Sequence, residues 1–178
     1  DSGKSTLCLV AAGLAPGTIG GALEGSVTVD GRETREQKPH EHAQQTGIVF
    51  QNPATQLSGT NRNVWEEVAF GPRNLGLPVG DVVERVESAL GSMGIEHLGE
   101  RDPQRLSGGQ AQLVALASVV ALGPPYLVLD EPTSQLDPQG TRLVGEALAA
   151  LAAAGNVGVL LVEHKSDLLA RLCARVVV

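Results

Sequence analysis

The stretch YLVLDEP (residues 126–132) decides the fold. A continuous apolar run of strand length, closed by turn chemistry, reads as a strand buried on both faces. It delivers two carboxylates, Asp130 and Glu131, to its C-terminal end, where α/β folds place their ligands. A second run of this kind, VGVLLVE (157–163), follows a helical pattern over 138–154. Strand, helix and strand in that order predict parallel pairing.

The same alternation extends in both directions. TGIVFQ (46–51) is a short strand leading into Gln51, and GSVTVDG (25–31) alternates and ends on the turn signal Asp30-Gly31. Helical periodicity covers 4–14, 63–76 and 80–93, the last with Asp81 placed to cap it. LSGGQAQLVALASVVAL (106–122) is a glycine-opened, strongly apolar helix, and 166–173 is another. ARVVV (174–178) begins a further strand, while 15–25 and 32–45 read as loop and polar connection. The segment from about 52 to 106 lacks buried-strand character and reads as a helical insertion. These elements predict one α/β domain over 1–178, a mostly parallel sheet covered on both faces by helices.

Composition narrows the function. The 178 residues are 42% hydrophobic and 19% charged, which is a folded globular balance. Aromatics are only 2%, so the core must be aliphatic. A net charge of −7 argues against a general nucleic-acid binder, which needs a basic face for phosphates. Cys8 and Cys173 stand in no metal or redox spacing, and His40, His42 and His97 have no functional context and are expected to face solvent.

Two further stretches carry chemistry. Gly3-Lys4-Ser5-Thr6 is the second half of the phosphate-binding loop G-x-x-x-x-G-K-[ST]. Glycines let backbone N–H groups close on phosphate oxygens at a helix start, where the helix dipole also favours an anion. Lys4 would reach the β- and γ-phosphates of a nucleotide, and the Ser5 hydroxyl would ligate Mg2+. Leu106-Ser107-Gly108-Gly109-Gln110 opens a second helix in the same manner, although a serine there is also an ordinary cap. Asp130 would hold Mg2+ through water, and Glu131 would act as general base on the attacking water.

The order Gly3-Lys4-Ser5-Thr6, Gln51, Leu106 to Gln110, Asp130-Glu131, Asp137 and His164 resembles the ATP-binding-cassette (ABC) ATPase family over essentially the whole chain. The resemblance implies a P-loop NTPase fold, with ATP and Mg2+ as cofactors. It implies phosphate contacts from Ser2, Gly3, Lys4, Ser5 and Thr6, and metal contacts from Ser5, Gln51 and Asp130. Glu131, His164 and Gln51 would serve hydrolysis. In a head-to-tail dimer, Ser107, Gly108, Gly109 and Gln110 of one subunit would close over the nucleotide of the other, with Asp137 communicating across the interface.

A finer similarity, in VFQNPATQL, VWEEVAFGPRNLGLP, EPTSQLDP and LVEHKSDLL, is to the ATPase subunits of energy-coupling factor importers of vitamins and transition metals. It implies integral membrane partners, a second ATPase subunit and a place on the cytoplasmic face of the membrane, with no nucleic acid. Soluble ABC proteins acting on DNA or ribosomes, and conventional importer ATPases, are the alternatives. Among the apolar residues Pro53, Leu57, Val64, Trp65, Val68 and Phe70, the stretch Pro53 to Leu57 beside Gln51 is expected to form a partly exposed groove for a short helix of a membrane subunit, whereas Trp65 and Val68 are at least as readily packed inside. The chain departs from the family at Asp1, at Ala54 and Thr55 where acidic residues are common, and at Ala111 and Leu113 where a basic residue is usual.

The missing first half of the phosphate loop leads to the expectation that the chain is a fragment. Residues 1–178 alone should bind ATP weakly and hydrolyse it negligibly. Isothermal titration showing micromolar affinity would overturn that expectation.

Overall fold

A computed structural model describes residues 3–177. Its centre is a three-stranded parallel sheet of β3 (Thr46–Val49), β4 (Tyr126–Asp130) and β5 (Gly158–Val162), in that spatial order. Val49 stands opposite Leu129, and Asp130 opposite Val162. The run at 126–130 is buried as its pattern predicts, with Leu127, Val128 and Leu129 at most 3% exposed. Leading into this sheet are α1 (Lys4–Ala11), a two-stranded hairpin of β1 (Thr28–Val29) and β2 (Arg32–Glu33), and α2 (Pro39–Gln45). After β3 come α3 (Val64–Asn74), α4 (Val79–Met93) and α5 (Gly108–Val120), then α6 (Pro138–Ala154) between β4 and β5, and α7 (Ser166–Leu172) last.

The main core lies where α5 packs against α3, α4, α6 and β3. Val114, Ala115, Leu116 and Ala117 are fully buried on successive positions, so α5 is apolar on nearly all sides and is a central helix. Gly47 permits this packing, because a Cβ there would run into the Val119 side chain. Asn63 caps α3 by accepting from Glu66 N at 2.8 Å. The loop before α3 is held by a buried carboxylate: Glu67 accepts from Ser58 N (2.6 Å), Ser58 Oγ (2.7 Å) and Asn61 Nδ2 (3.0 Å). Losing that carboxylate would leave part-buried donors unpaired, each at no more than about 1–3 kcal/mol, which still makes this tie comparable to or stronger than a surface ion pair.

Several expectations are corrected. The helix read over 4–14 stops at Ala11, and the strand read over 25–31 is only Thr28–Val29. Its Asp30-Gly31 turn is real, with φ of 50° and 74°, and returns the chain as β2 within what reads as polar connection. Helix α2 also lies in that polar stretch; its seven residues show too little periodicity to announce it. His42 is 1% exposed rather than solvent-facing, with Nε2 3.1 Å from Ala11 O and Nδ1 3.2 Å from Gln37 Oε1. It tucks against Gly13, whose missing side chain leaves room for the ring. Residues 174–177 form no strand, and Val178 lies outside the described residues. β5 is less covered than expected, with Val159 and Leu160 about 40% exposed, because it pairs with β4 alone among the described residues.

Cys8 forms a second, smaller core with Val128 and Val162, where α1 crosses the sheet. Burial pushes its thiol from 9.0 up to about 12, helped by the charge and hydrogen bonding of Asp130 and by the charge of Glu131. A raised thiol pKa keeps the proton on until that pH is reached, so at pH 8 only about one Cys8 in ten thousand is thiolate. In the folded chain at pH 8, a maleimide should therefore label the half-buried Cys173 and spare Cys8 until the protein is unfolded. Mass spectrometry finding equal labelling rates would contradict this.

Candidate functional site

Parallel pairing sets the three strand ends level. Continuing the register by one residue past Asp130 places Gln51, Glu131 and Glu163 in one row at the C-terminal edge. The side chains follow. Gln51 Nε2 donates to Glu131 Oε2 at 3.4 Å, and His164 Nε2 lies 2.9 Å from Glu131 Oε1. Glu131 adopts φ 48°, an uncommon left-handed conformation for a non-glycine residue. Its N–H still bonds to Val162 O at 2.9 Å, so the sheet holds the residue while the chain turns away beneath it. The Glu131 side chain is mostly sheltered, at 16% exposed, whereas His164 is 64% exposed.

Helix α1 starts beside this row. Gly3 is its N-cap with φ 77° and carries no side chain to cap the end. Lys4, Ser5 and Thr6 form the first turn, and Ser5 Oγ donates to Asp130 Oδ1 at 3.1 Å. Asp1 and Ser2 lie outside the described residues. The Ser5 hydroxyl beside the Asp130 carboxylate is a pair of hard oxygen donors next to a helix start. That set fits Mg2+, which keeps several waters and takes one or two protein oxygens together with substrate phosphates. No cluster of three or more His, Cys, Asp or Glu suited to a metal exists among the described residues. A metal here would thus lean on a few protein oxygens, Ser5 and Asp130 among them, and on its phosphate ligand.

Ser107, Gly108, Gly109, Gln110 and Asp137 gather elsewhere, around a concavity of about 460 Å³ that includes neither Ser5, Asp130 nor Glu131. Ser107 Oγ accepts from Gln110 N at 3.3 Å and Gln110 Oε1 accepts from Ser107 N at 3.1 Å, a reciprocal cap on α5. Asp137 caps α6 by accepting from Gly140 N at 2.6 Å. The starts of both helices meet at Gly109 and Gly140, where a Cβ on Gly109 would lie 2.8 Å from the Gly140 Cα. Two positive helix ends therefore open into one polar hollow. Leu113, where a basic residue was expected, is 3% exposed and sits in the core.

Sequence reasoning missed the residues that connect the site to its turn. Glu163 and Thr133 are buried and bonded to each other, Glu163 Oε2 accepting from Thr133 Oγ1 at 2.6 Å. Lys165 Nζ donates to Thr133 O at 2.9 Å and Thr141 Oγ1 at 2.7 Å. The available signal was a charged residue closing an otherwise apolar strand, VGVLLVE, level with Glu131.

Comparison with known proteins identifies the family and the fold. The ABC transporter family profile matches residues 2–134. The energy-coupling factor transporter ATP-binding protein EcfA2 of Symbiobacterium thermophilum is 43% identical over 178 residues, covering 99% of this chain and 60% of that protein. CbiO1 of Clostridium perfringens, part of the ABC transporter complex CbiONQ, superposes with a TM-score of 0.83 at 32% identity, over 96% of this chain and 66% of its own. The ATP-binding cassette MJ0796, solved as a dimer in a post-hydrolysis state with ADP and Pi, gives 0.74 at 27% identity, over 94% and 72%. The chain spans between 27% and 62% of the length of its sequence relatives. With its motif order and its fold in agreement with these relatives, this chain belongs to the ABC transporter family.

Proposed function

We propose that the chain supplies the catalytic half-site of an ATPase subunit that drives an importer of the energy-coupling factor type. The observation that carries this reading is Glu131, held between Gln51 and His164 and one residue beyond the Ser5–Asp130 pair. ATP would lie along the start of α1, with its phosphates on the backbone of Ser2, Gly3, Lys4, Ser5 and Thr6 and its charge met by Lys4. Mg2+, held by Ser5, Gln51 and Asp130, would neutralise charge on the phosphates. Glu131 takes the proton of the attacking water. His164 and Gln51 fix the two oxygens of that carboxylate, so its orientation is set before substrate arrives.

The hollow at Ser107, Gly108, Gly109, Gln110 and Asp137 lies apart from these groups, and that separation favours a head-to-tail dimer in which it covers the partner's nucleotide. The dimeric MJ0796 cassette supports the arrangement by analogy. The likeness to EcfA2 and to CbiO1 supports membrane partners and attachment at the cytoplasmic face. No helix among the described residues is long and apolar enough to cross a membrane. Residues 52–106, containing α3 and α4, would serve as the helical subdomain that meets the membrane partners. Within it Val64 and Val68 are fully buried, and Trp65 and Leu57 pack on the core with Arg73 over the Trp65 ring. Phe70, 46% exposed, is the most open of that apolar set and, with Leu75 (47%) and Val79 (80%) nearby, is available to a partner helix.

Two tests follow for the full-length protein in its assembled transporter. Glu131→Gln keeps the shape but removes the base, so it should bind ATP while kcat falls by roughly two to four orders of magnitude. Near-normal turnover would remove Glu131 from the chemistry. Lys4→Ala should instead lose nucleotide binding. Phe70→Glu should lower co-purification of membrane subunits while ATP hydrolysis by the isolated ATPase dimer stays within about twofold. Normal co-purification would show that α3 is not the docking face. Recovery of ribosomes or DNA in place of membrane subunits would overturn the importer reading.

A further inference from the structure

We propose that Thr133, Glu163 and Lys165 are positioning residues for hydrolysis, forming a clip that fixes His164 relative to Glu131. The inference rests on the ATPase reading above. Residues 163–165 alternate in their attachments. Glu163 reaches Thr133, His164 reaches Glu131, and Lys165 returns to Thr133. Glu163 Oε1 also accepts from His164 N at 2.9 Å and Lys165 N at 3.4 Å, so one buried carboxylate holds the backbone on both sides of the His164 peptide.

Thr133 is the common anchor. It is fully buried two residues beyond Glu131, its hydroxyl held by Glu163 and its carbonyl by Lys165. Glu131 and His164 come from different strand ends, and His164 is largely exposed. An exposed imidazole on a free loop would sample many orientations. The clip removes that freedom from the backbone, so the 2.9 Å approach to Glu131 is set by one buried bond and a ring of part-buried ones. Lys165 extends the clip to Thr141 in the first turn of α6, beside the Asp137 cap. The wall of the polar hollow and the His164 loop are thereby one mechanical unit.

The test is steady-state ATP hydrolysis by the full-length protein in its assembled transporter. Thr133→Val, which keeps shape and loses the hydroxyl, should lower kcat about tenfold with KM for ATP changed by less than about twofold. Thr133→Ser, which restores the hydroxyl, should return kcat to within about twofold of wild type. Lys165→Met leaves the buried pair intact and should lower kcat about threefold at unchanged KM, which keeps the test available if Thr133→Val does not fold. Hydrolysing wild type with Thr133→Val or Lys165→Met indistinguishable from it overturns the clip alone. Losses that fall on KM, or that Thr133→Ser does not repair, assign these residues to general stability and also overturn it. Wild type with no ATP hydrolysis overturns the ATPase reading itself.

Discussion

Everything at the site depends on β4 being paired in parallel on both sides. Antiparallel neighbours would send the ends of β3 and β5 to the opposite edge, and Glu131 would have neither Gln51 nor a residue of the β5 end within reach. Parallel register instead brings three separate chain segments to one line, at the cost of helical crossovers that cover the sheet. α1 then crosses β4 and β5, which is why Ser5 meets Asp130 and why Cys8 sits beneath both carboxylates.

A second constraint is the close crossing of α5 and α6. Their starts approach at two glycines, so the distance between the Ser107 cap and the Asp137 cap is a backbone distance with little room for adjustment. α5 continues from that crossing into the centre of the core, and Gln112 on it donates to Phe50 O at 3.4 Å, next to Gln51. One helix therefore touches the polar hollow at its start and the end of β3 within its first turns.

Much of this was legible in the sequence. The runs at 126–130 and 158–162 are apolar enough to announce strands, and the six motif stretches fall at strand ends or helix starts. Other parts were hidden for physical reasons. α2 and β2 are too short to show a period, so their polar residues read as connection. His42 carries no sequence mark of burial, because its shelter is a gap left by Gly13, distant in the chain. Glu163 and Thr133 become partners only once β4 and β5 are aligned; neither has a local signal of the other. Leu113 departs from the family's usual charge at that position and simply joins the core.

Among the described residues, one side of β5 has no partner strand. A strand with one ladder edge unpaired among the described residues, and with apolar side chains at Val159 and Leu160, would offer a pairing template to a similar edge. No proline interrupts Gly158–Val162, and no charge stands within it to repel a second copy. In a polypeptide limited to these 178 residues, that edge would favour edge-to-edge pairing, opposed by the net charge of −7.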